Sequence, residues 1–418
     1  MISVCVFTLG CKVNQYESSV ITAKLKAAGY NAFEGLKKAD IFIFNTCAVT
    51  SEAERKSRQL VARATRLNKA AKVIIIGCAS ELNSEQFKKA NNVTLIQGTA
   101  KKFDVINYIS KLGKSIIELP EKYENADGVE ISKIRQTIKI QDGCNNFCSY
   151  CVIPYVRGRS RSRSIEDTIQ EIERVVPYVK EVILTGIDLS SYGKDIGTSL
   201  TELINKLKDV PVRLRLGSLE ARAVDDLLIS ALKKCKNFCP HFHLSLQSGS
   251  DAVLKAMNRH YSTKEFSKTV DKIRSAFPNA SITTDIIAGY PTETDEMFIE
   301  TKEFVKSIGF SDMHIFPYSK REMTVSASLK GLEPKIIKGR IDDLEKIKEE
   351  ERRKHLCTLT NSLESVLFED ERNGYISGYT KSYIKVYARP QVGISSNEIA
   401  TVKLKEPMLD GMQGIMEV

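Results

Sequence analysis

Cys144, Cys148 and Cys151 stand in the stretch Gln-Asp-Gly-Cys-Asn-Asn-Phe-Cys-Ser-Tyr-Cys, spaced C-x3-C-x2-C directly after an alternating apolar run at 137–140. Soft thiolates this close together can hold three irons of a four-iron cluster. With no fourth Cys or His nearby in sequence, one iron stays open to a substrate. A structural zinc site would want four protein ligands to close its tetrahedron. The spacing therefore points to chemistry at an open iron.

Three further cysteines share one setting. The short apolar runs 4–9, 41–44 and 73–76 end in Gly10-Cys11, Asn45-Thr46-Cys47 and Gly77-Cys78, and the cysteines are 36 and 31 residues apart. Those steps are the length of a βαβ unit, and the segments 18–28 and 52–67 between them read as helices. In a parallel α/β sheet the carboxyl ends of neighbouring strands share one edge, so Cys11, Cys47 and Cys78 are expected to converge where such sheets bind ligands. A single buried thiol near a strand end is ordinarily core filling, whereas three in one register make a second three-cysteine site. Cys5 lies inside the first strand and is assigned to the core; Cys235, Cys239 and Cys357 are read as structural.

The elements that must position the first triad run from 137 to about 319. Strands are expected at 137–141, 181–185, 213–217, 241–246, 281–288 and 312–317, with amphipathic helices at 165–176, 200–207, 224–234, 264–277 and 296–308. Six β/α units in a row argue for a parallel sheet curved into a partial (β/α)6 barrel. Sites in such barrels lie at the carboxyl ends of the strands, where the cysteine loop sits. The other rim loops hold Gly186, Ser218, Gln247 and Gly289, residue types a nucleoside ligand would need.

A chain of 418 residues is too long for one ordinary core. Three parts are expected: an N-terminal parallel-sheet α/β domain at 1–120, the partial barrel at 130–355 and a small antiparallel β-barrel at 356–418. The last part alternates at 365–368, 375–378, 384–388 and 400–404, and a charged helix at 341–355 joins it to the core. Ten cysteines in a chain of this size suggest ligation or catalysis before disulfides. No apolar run is long enough to span a bilayer. The apolar start, ending Leu9-Gly10-Cys11, lacks the basic region of a secretory signal, so it is read as a strand and the protein as cytoplasmic.

The net charge of +10 suggests a polyanionic partner, and its distribution is uneven: Lys and Arg outnumber Asp and Glu by 18 to 9 over 1–120 and are 6 against 8 over 356–418. Arg55, Lys56, Arg58, Arg63, Arg66, Lys69 and Lys72 crowd one helix, which by itself reads as a solvated face. Arg157, Arg159, Arg161 and Arg163 follow the cysteine loop, and their place beside the reactive centre suggests a hold on phosphate. Small five-stranded barrels commonly bind nucleic acid, and Lys381 and Lys385, with Tyr383, Tyr387 and Arg389, would supply basic and aromatic groups.

Cys-x3-Cys-x-Tyr150-Cys resembles the signature of radical S-adenosylmethionine enzymes. In that family the open iron chelates the amino and carboxylate groups of S-adenosylmethionine, and an electron cleaves it to a 5′-deoxyadenosyl radical. The resemblance implies that Tyr150, Gly186 and Ser218 line the cofactor site, with Gly186 at the methionyl amine. It places Gln247 and Arg259 at the carboxylate and ribose, and Ile287 to Gly289 at the adenine.

The three parts together resemble the methylthiotransferases, in which a second cluster, here on Cys11, Cys47 and Cys78, carries the sulfur. Thr8-Leu9-Gly10-Cys11-Lys12-Val13-Asn14-Gln15-Tyr16-Glu17 and Gln141-Asp142-Gly143-Cys144-Asn145-Asn146-Phe147-Cys148 are most similar to the branch that acts on N6-threonylcarbamoyladenosine. The implied function is methylthiolation of C2 of that base at position 37, in the anticodon loop of tRNA, with two [4Fe–4S] clusters and S-adenosylmethionine. The small C-terminal barrel would then be a TRAM domain. A sulfur donor and an electron donor are required, of classes the residues do not name.

Two departures from the family pattern stand out: Glu220-Ala221 after the third strand, and Arg321-Glu322-Met323 where a glycine is usual. Rival readings are methylthiolation of isopentenyladenosine in tRNA, or of an aspartate in a ribosomal protein. From another class comes an RNA-binding iron–sulfur protein without catalysis.

Overall fold

The computed structural model describes residues 1–88, 92–109, 114–126, 128–132 and 134–417. Its first part is a six-stranded, all-parallel sheet. The strands are β1 (Ser3–Thr8), β2 (Asn31–Glu34), β3 (Ile41–Thr46), β4 (Lys72–Gly77), β5 (Val93–Gln97) and β6 (Lys114–Ile116), in the order β2-β1-β3-β4-β5-β6. The alternation of β3 explains how both faces are covered. Ile41 and Ile43 join Tyr16, Val20 and Leu25 of the helix Lys12–Ala27 on one side, while Phe42 and Phe44 join Val61 and Ala64 of the helix Ser51–Leu67 on the other. Sheets buried on both faces read as continuous apolar runs, which is how β3 and β4 read. The first helix begins at Lys12, six residues earlier than its apolar periodicity suggests, because Asn14 and Glu17 in its first turns are buried polar groups with partners below the sheet edge.

The second part contains β7 (Arg135–Lys139), the short pair β8 (Gln141–Asp142) and β9 (Arg161–Ser162), β10 (Glu181–Thr185), β11 (Arg213–Leu216), β12 (His241–His243), β13 (Ser281–Ala288) and β14 (Asp312–Pro317). Two parallel sheets, β7-β10-β11 and β12-β13-β14, are joined by the bridge Leu219–Leu244, giving the six-stranded partial barrel that the repeating pattern predicts. The helices Ile165–Val175, Leu200–Lys206, Asp226–Lys234, Thr263–Ala276 and Asp295–Ile308 cover its outside, each opened by a side-chain oxygen cap: Ser164, Ser199, Asp225, Ser262 and Thr294. A long helix, Pro334–Thr358, packs along β14 and leads into the third part.

That third part is a closed five-stranded barrel of β15 (Leu363–Arg372), β16 (Tyr375–Thr380), β17 (Lys385–Ala388), β18 (Ile399–Met408) and β19 (Gly411–Met416). One pairing, β17 with β19, is parallel. Alternation alone misses β19. Its glycines sit where the backbones crowd: a Cβ on Gly411 would lie 2.2 Å from the Lys385 carbonyl oxygen, and one on Gly414 2.4 Å from Val402 Cγ1.

The small barrel is fastened to the partial barrel by arginines at the strand starts. Arg215 grips Glu181 with Nε at 2.8 Å and Nη2 at 3.0 Å, while Nη1 donates to the Lys381 carbonyl at 3.0 Å. Arg213 donates to the Tyr379 and Ser365 carbonyls. Tyr383, stacked on Tyr379 and His241, lies under the Arg215 guanidinium at 4.6 Å. Tyr383 is thus spent on docking and is not free for a base. Removing one partner of a buried, hydrogen-bonded charge pair costs about 3–5 kcal/mol. Arg215→Ala is therefore expected to lower thermal stability by an amount of that order and to open the joint near 356–362 to proteolysis, read by differential scanning calorimetry and limited digestion.

Candidate active site

The first triad is held by its own loop and by neighbours across the rim. Cys151 N–H donates to the Cys148 carbonyl at 2.9 Å, and Ser149 N–H to the Met257 carbonyl at 3.0 Å. The Ser149 hydroxyl lies 2.8 Å from the Tyr290 hydroxyl. Asn258 Nδ2 donates to the carbonyl of Phe147 at 3.1 Å, fixing a turn in which Phe147 takes φ +47°. Two donors point at the sulfurs themselves: Arg259 Nη1 lies 3.3 Å from Cys148 Sγ and Asn146 N–H 3.4 Å from Cys144 Sγ.

The second triad sits at the carboxyl ends of β1, β3 and β4, which are neighbours in the sheet. Cys11 is the N-cap of the first helix, Cys47 follows β3, and Cys78 opens the short helix Cys78–Leu82. Gly10, at φ +98°, lets the chain pass against Cys47: a Cβ there would lie 2.6 Å from Cys47 Cβ and 2.7 Å from its Sγ. Here too an arginine and a backbone amide face sulfur, Arg157 Nε at 3.2 Å from Cys78 and Val49 N–H at 3.5 Å from Cys47.

Arg157 connects the two triads. It ends the helix Ile153–Arg157 that follows Cys151, and it is 0% exposed. Its Nη1 donates to Asp142 Oδ1 at 2.8 Å and Glu17 Oε1 at 3.0 Å, and Nη2 to Asn14 Oδ1 at 2.5 Å. Lys139 bridges the same two carboxylates, and Lys102 Nζ meets Glu17 at 2.5 Å. Burial alone would push both carboxyls up, but the charges of Arg157, Lys102 and Lys139 outweigh it for Glu17, and those of Arg157 and Lys139 for Asp142. Both acids are held below the usual carboxylate range.

With Arg161 also facing Asp142, four buried cations against two carboxylates leave this knot in positive excess, which suits anionic thiolate clusters on either side. The donor set therefore fits iron–sulfur groups at both triads.

This geometry corrects the phosphate reading of the basic run at three of its four positions. Arg157, Arg161 and Arg163 are buried. Arg161 donates to the carbonyl of Arg157 at 2.9 Å and faces Asp142, while Arg163 pairs with Glu171. A guanidinium already desolvated among carboxylates is unavailable to phosphate. Only Arg159 is exposed, its guanidinium 4.5 Å over the Phe147 ring. Lys381 is half-buried and Lys385 pairs with Asp410 at 3.2 Å.

The residues assigned to S-adenosylmethionine gather on one rim with different degrees of explanation. Gly186 is pressed against Gln141, whose Oε1 would be 2.8 Å from an added Cβ and accepts the Asp188 amide at 2.7 Å. Gln247 takes φ +74° and is bonded through its backbone to Asp285 and Ile287. Arg259 reaches Cys148, the Tyr261 hydroxyl, the Ser245 carbonyl and, at 3.7 Å, Glu220. Tyr150 and Ile287 pack against Val253, Met257 and Tyr290. Ser218 is exposed in the cavity wall. Gly289 has a packing reason of its own: at φ +78°, its Cβ would lie 2.6 Å from Ile337 of the long helix.

Sequence reasoning missed Asn14, Glu17, Asp142 and Gln141; polar residues beside cysteines were the available signal. A cavity of about 660 Å³ runs from Cys11, Gly186 and Ser218 at the rim down the lumen to Tyr383, Lys385 and Asp410 of the small barrel.

Two metal-capable thiol triads at the carboxyl edge of parallel strands, one of them in the rim of a partial barrel, define a radical S-adenosylmethionine enzyme with an auxiliary centre. The comparisons agree. Residues 138–305 match the Radical SAM superfamily and residues 3–98 the family described as UPF0004. The chain is 38% identical over 416 residues to the threonylcarbamoyladenosine tRNA methylthiotransferase MtaB of Thermotoga maritima, covering 97% of this chain and 95% of that one. It is 34% identical over 407 residues to the MtaB of Bacillus subtilis, at 92% and 90% coverage. It is also 37% identical over 349 residues to the tRNA-2-methylthio-N(6)-dimethylallyladenosine synthase of Clostridium tetani, at 79% and 77% coverage. Among solved structures, TsrM of Kitasatospora setae, a radical S-adenosylmethionine methyltransferase, shares the fold with a TM-score of 0.56 at 13% identity, covering 78% of this chain and 77% of that one. This chain belongs to the radical S-adenosylmethionine tRNA methylthiotransferases, in the MtaB branch.

Burial pushes the thiols of Cys47 and Cys151 up to about 12. They are protonated in the apo chain at neutral pH, and loading must expel those protons. Cluster reconstitution at fixed iron and sulfide is thus expected to rise between about pH 7 and 9, followed by absorbance near 400 nm. Gly10→Ala is expected to displace Cys47 alone, roughly halving bound iron while the first triad still loads.

Proposed function

We propose that this chain methylthiolates C2 of N6-threonylcarbamoyladenosine at position 37, in the anticodon loop of tRNA. The observation that carries this reading is the likeness to MtaB over nearly the full length of both chains, across all three parts. [4Fe–4S] clusters at Cys144, Cys148, Cys151 and at Cys11, Cys47, Cys78, with S-adenosylmethionine, would supply a carbon radical and a sulfur carrier, which suits an aromatic C2–H that is neither acidic nor electrophilic.

The chain's own residues supply the setting. Arg259 and Asn146 N–H hold the sulfurs of the first triad by charge-assisted and backbone hydrogen bonds. Gln141 fixes the Gly186 turn, and Tyr150, Gln247 and Ile287 offer the walls against which methionine and adenine would lie, with Ser218 beside them. Cys11 of the second triad opens on the same cavity as Gly186 and Ser218, so a base entering it would lie beside that triad. Arg159 on its aromatic support, together with Lys381 and Lys385 of the small barrel, is the set assigned to RNA phosphates. The basic face of the helix Ser51–Leu67, with Arg55, Arg58, Arg63 and Arg66 exposed, extends it. A tRNA substrate suits a cytoplasmic enzyme.

Mass spectrometry of tRNA nucleosides from a host lacking its own enzyme tests the reading. Expression of this chain is expected to add the methylthio mass to threonylcarbamoyladenosine; a gain on isopentenyladenosine instead would overturn the substrate. Reconstituted protein should hold about eight irons, and about half of that when Cys11, Cys47 and Cys78 are all replaced by Ala.

A further inference from the structure

The lumen below the rim carries a side-chain cluster that neither triad uses. Along β13 alternate residues turn inward, so Ser281, Thr283 and Asp285 line the hollow while Ile282, Thr284 and Ile286 are buried on the other face. His243, at the end of β12, pairs in register with Thr283, and His314 of β14 pairs with Asp285. Their ligand atoms, one each from His243, Asp285 and His314, lie within 4.8 Å of one another. The chain has five histidines, and three of them, His241, His243 and His314, line this one cavity.

The details suit a metal ion better than chance placement. His243 Nε2 lies 3.1 Å from Asp285 Oδ2. Bonds of about 2.0–2.1 Å require ligand edges of about 2.8–3.0 Å in octahedral and about 3.3–3.4 Å in tetrahedral geometry. His243 Nδ1 is 2.9 Å from Thr283 Oγ1, which in turn is 3.0 Å from His241 Nε2. Thr283 can therefore accept from His243 Nδ1–H and donate to His241. That tautomer aims the Nε2 lone pair of His243 at Asp285, the outer-shell arrangement that orients metal-bound imidazoles.

We propose that His243, Asp285 and His314 bind one divalent transition-metal ion of the zinc or ferrous class. The two-histidine, one-carboxylate set selects borderline cations over magnesium or calcium. The ion takes up the Nε2 lone pair of neutral His243 and an oxygen of ionised Asp285, while the imidazole proton stays on Nδ1 against Thr283. Its remaining positions open on the cavity shared with Cys11 and Gly186, where water or an oxygen ligand completes the shell. The site is separate from both cysteine triads and does not depend on which nucleoside is modified.

The test uses cluster-loaded enzyme made without a histidine tag, dialysed against Co2+ and freed of loose metal by gel filtration. The expected result is about one cobalt per chain, with a first shell of nitrogen and oxygen at about 2.0–2.1 Å by X-ray absorption and no sulfur at about 2.3 Å. His314→Ala and Asp285→Asn are each expected to cut cobalt retention at least tenfold while bound iron is unchanged. No cobalt in the wild-type enzyme, cobalt on sulfur, or full retention by both variants overturns the site and leaves a plain His–Asp hydrogen bond. Should a variant also shed iron, the wild-type ligand shell decides: nitrogen and oxygen uphold the proposal, sulfur sinks it.

Discussion

A single buried guanidinium holds the two halves of this site together. Arg157 reaches the helix that begins at Cys11, the carboxylate two residues before Cys144, and the sulfur of Cys78. An unpaired buried charge would cost several kcal/mol, so Arg157, Lys102 and Lys139 stay only while Glu17 and Asp142 stay, and the reverse. That mutual dependence locks the N-terminal sheet edge onto the rim of the partial barrel. Two triads that arise more than 60 residues apart in the chain are thereby joined through one buried charge network.

The same logic recurs where the small barrel docks. Arg213 and Arg215 satisfy carbonyls of β15, of Tyr379 in β16 and of Lys381 just after it, and Tyr383 stacks between His241 and Tyr379. The small barrel thus lines the lower end of the lumen with Tyr379, Tyr383 and Lys385. A substrate entering between the first two parts would meet Cys11 and Gly186 before the polar layer of His243, Asp285 and His314.

Much of the fold was legible because its periodicities are local. β10, β13 and β14 begin and end where alternation and apolar runs place them, and the outer helices lie within a residue or two of their capping oxygens. β2, β5 and β6 were not read, being short strands whose place depends on neighbours already formed, and β19 hides behind its glycines. Glu220-Ala221 stands in an ordinary short turn after β11, so the altered family pattern there leaves the rim intact.

The sequence by itself determined which atoms can ligate: cysteine spacing along one loop, and cysteine at the ends of three successive runs, are facts of the chain that no packing can change. It also determined the strand and helix order, since each residue's burial alternates with its own element's period. Only the tertiary structure decided what the charges are for. Arg157, Arg161 and Arg163 resemble a phosphate stripe when read in a line, yet each points inward to a carboxylate contributed by another element. His243, Asp285 and His314 are unremarkable until three strands are laid in register. Partners distant in sequence are chosen by strand register and by the cost of burying an unpaired charge, and both of these exist only once the chain has folded.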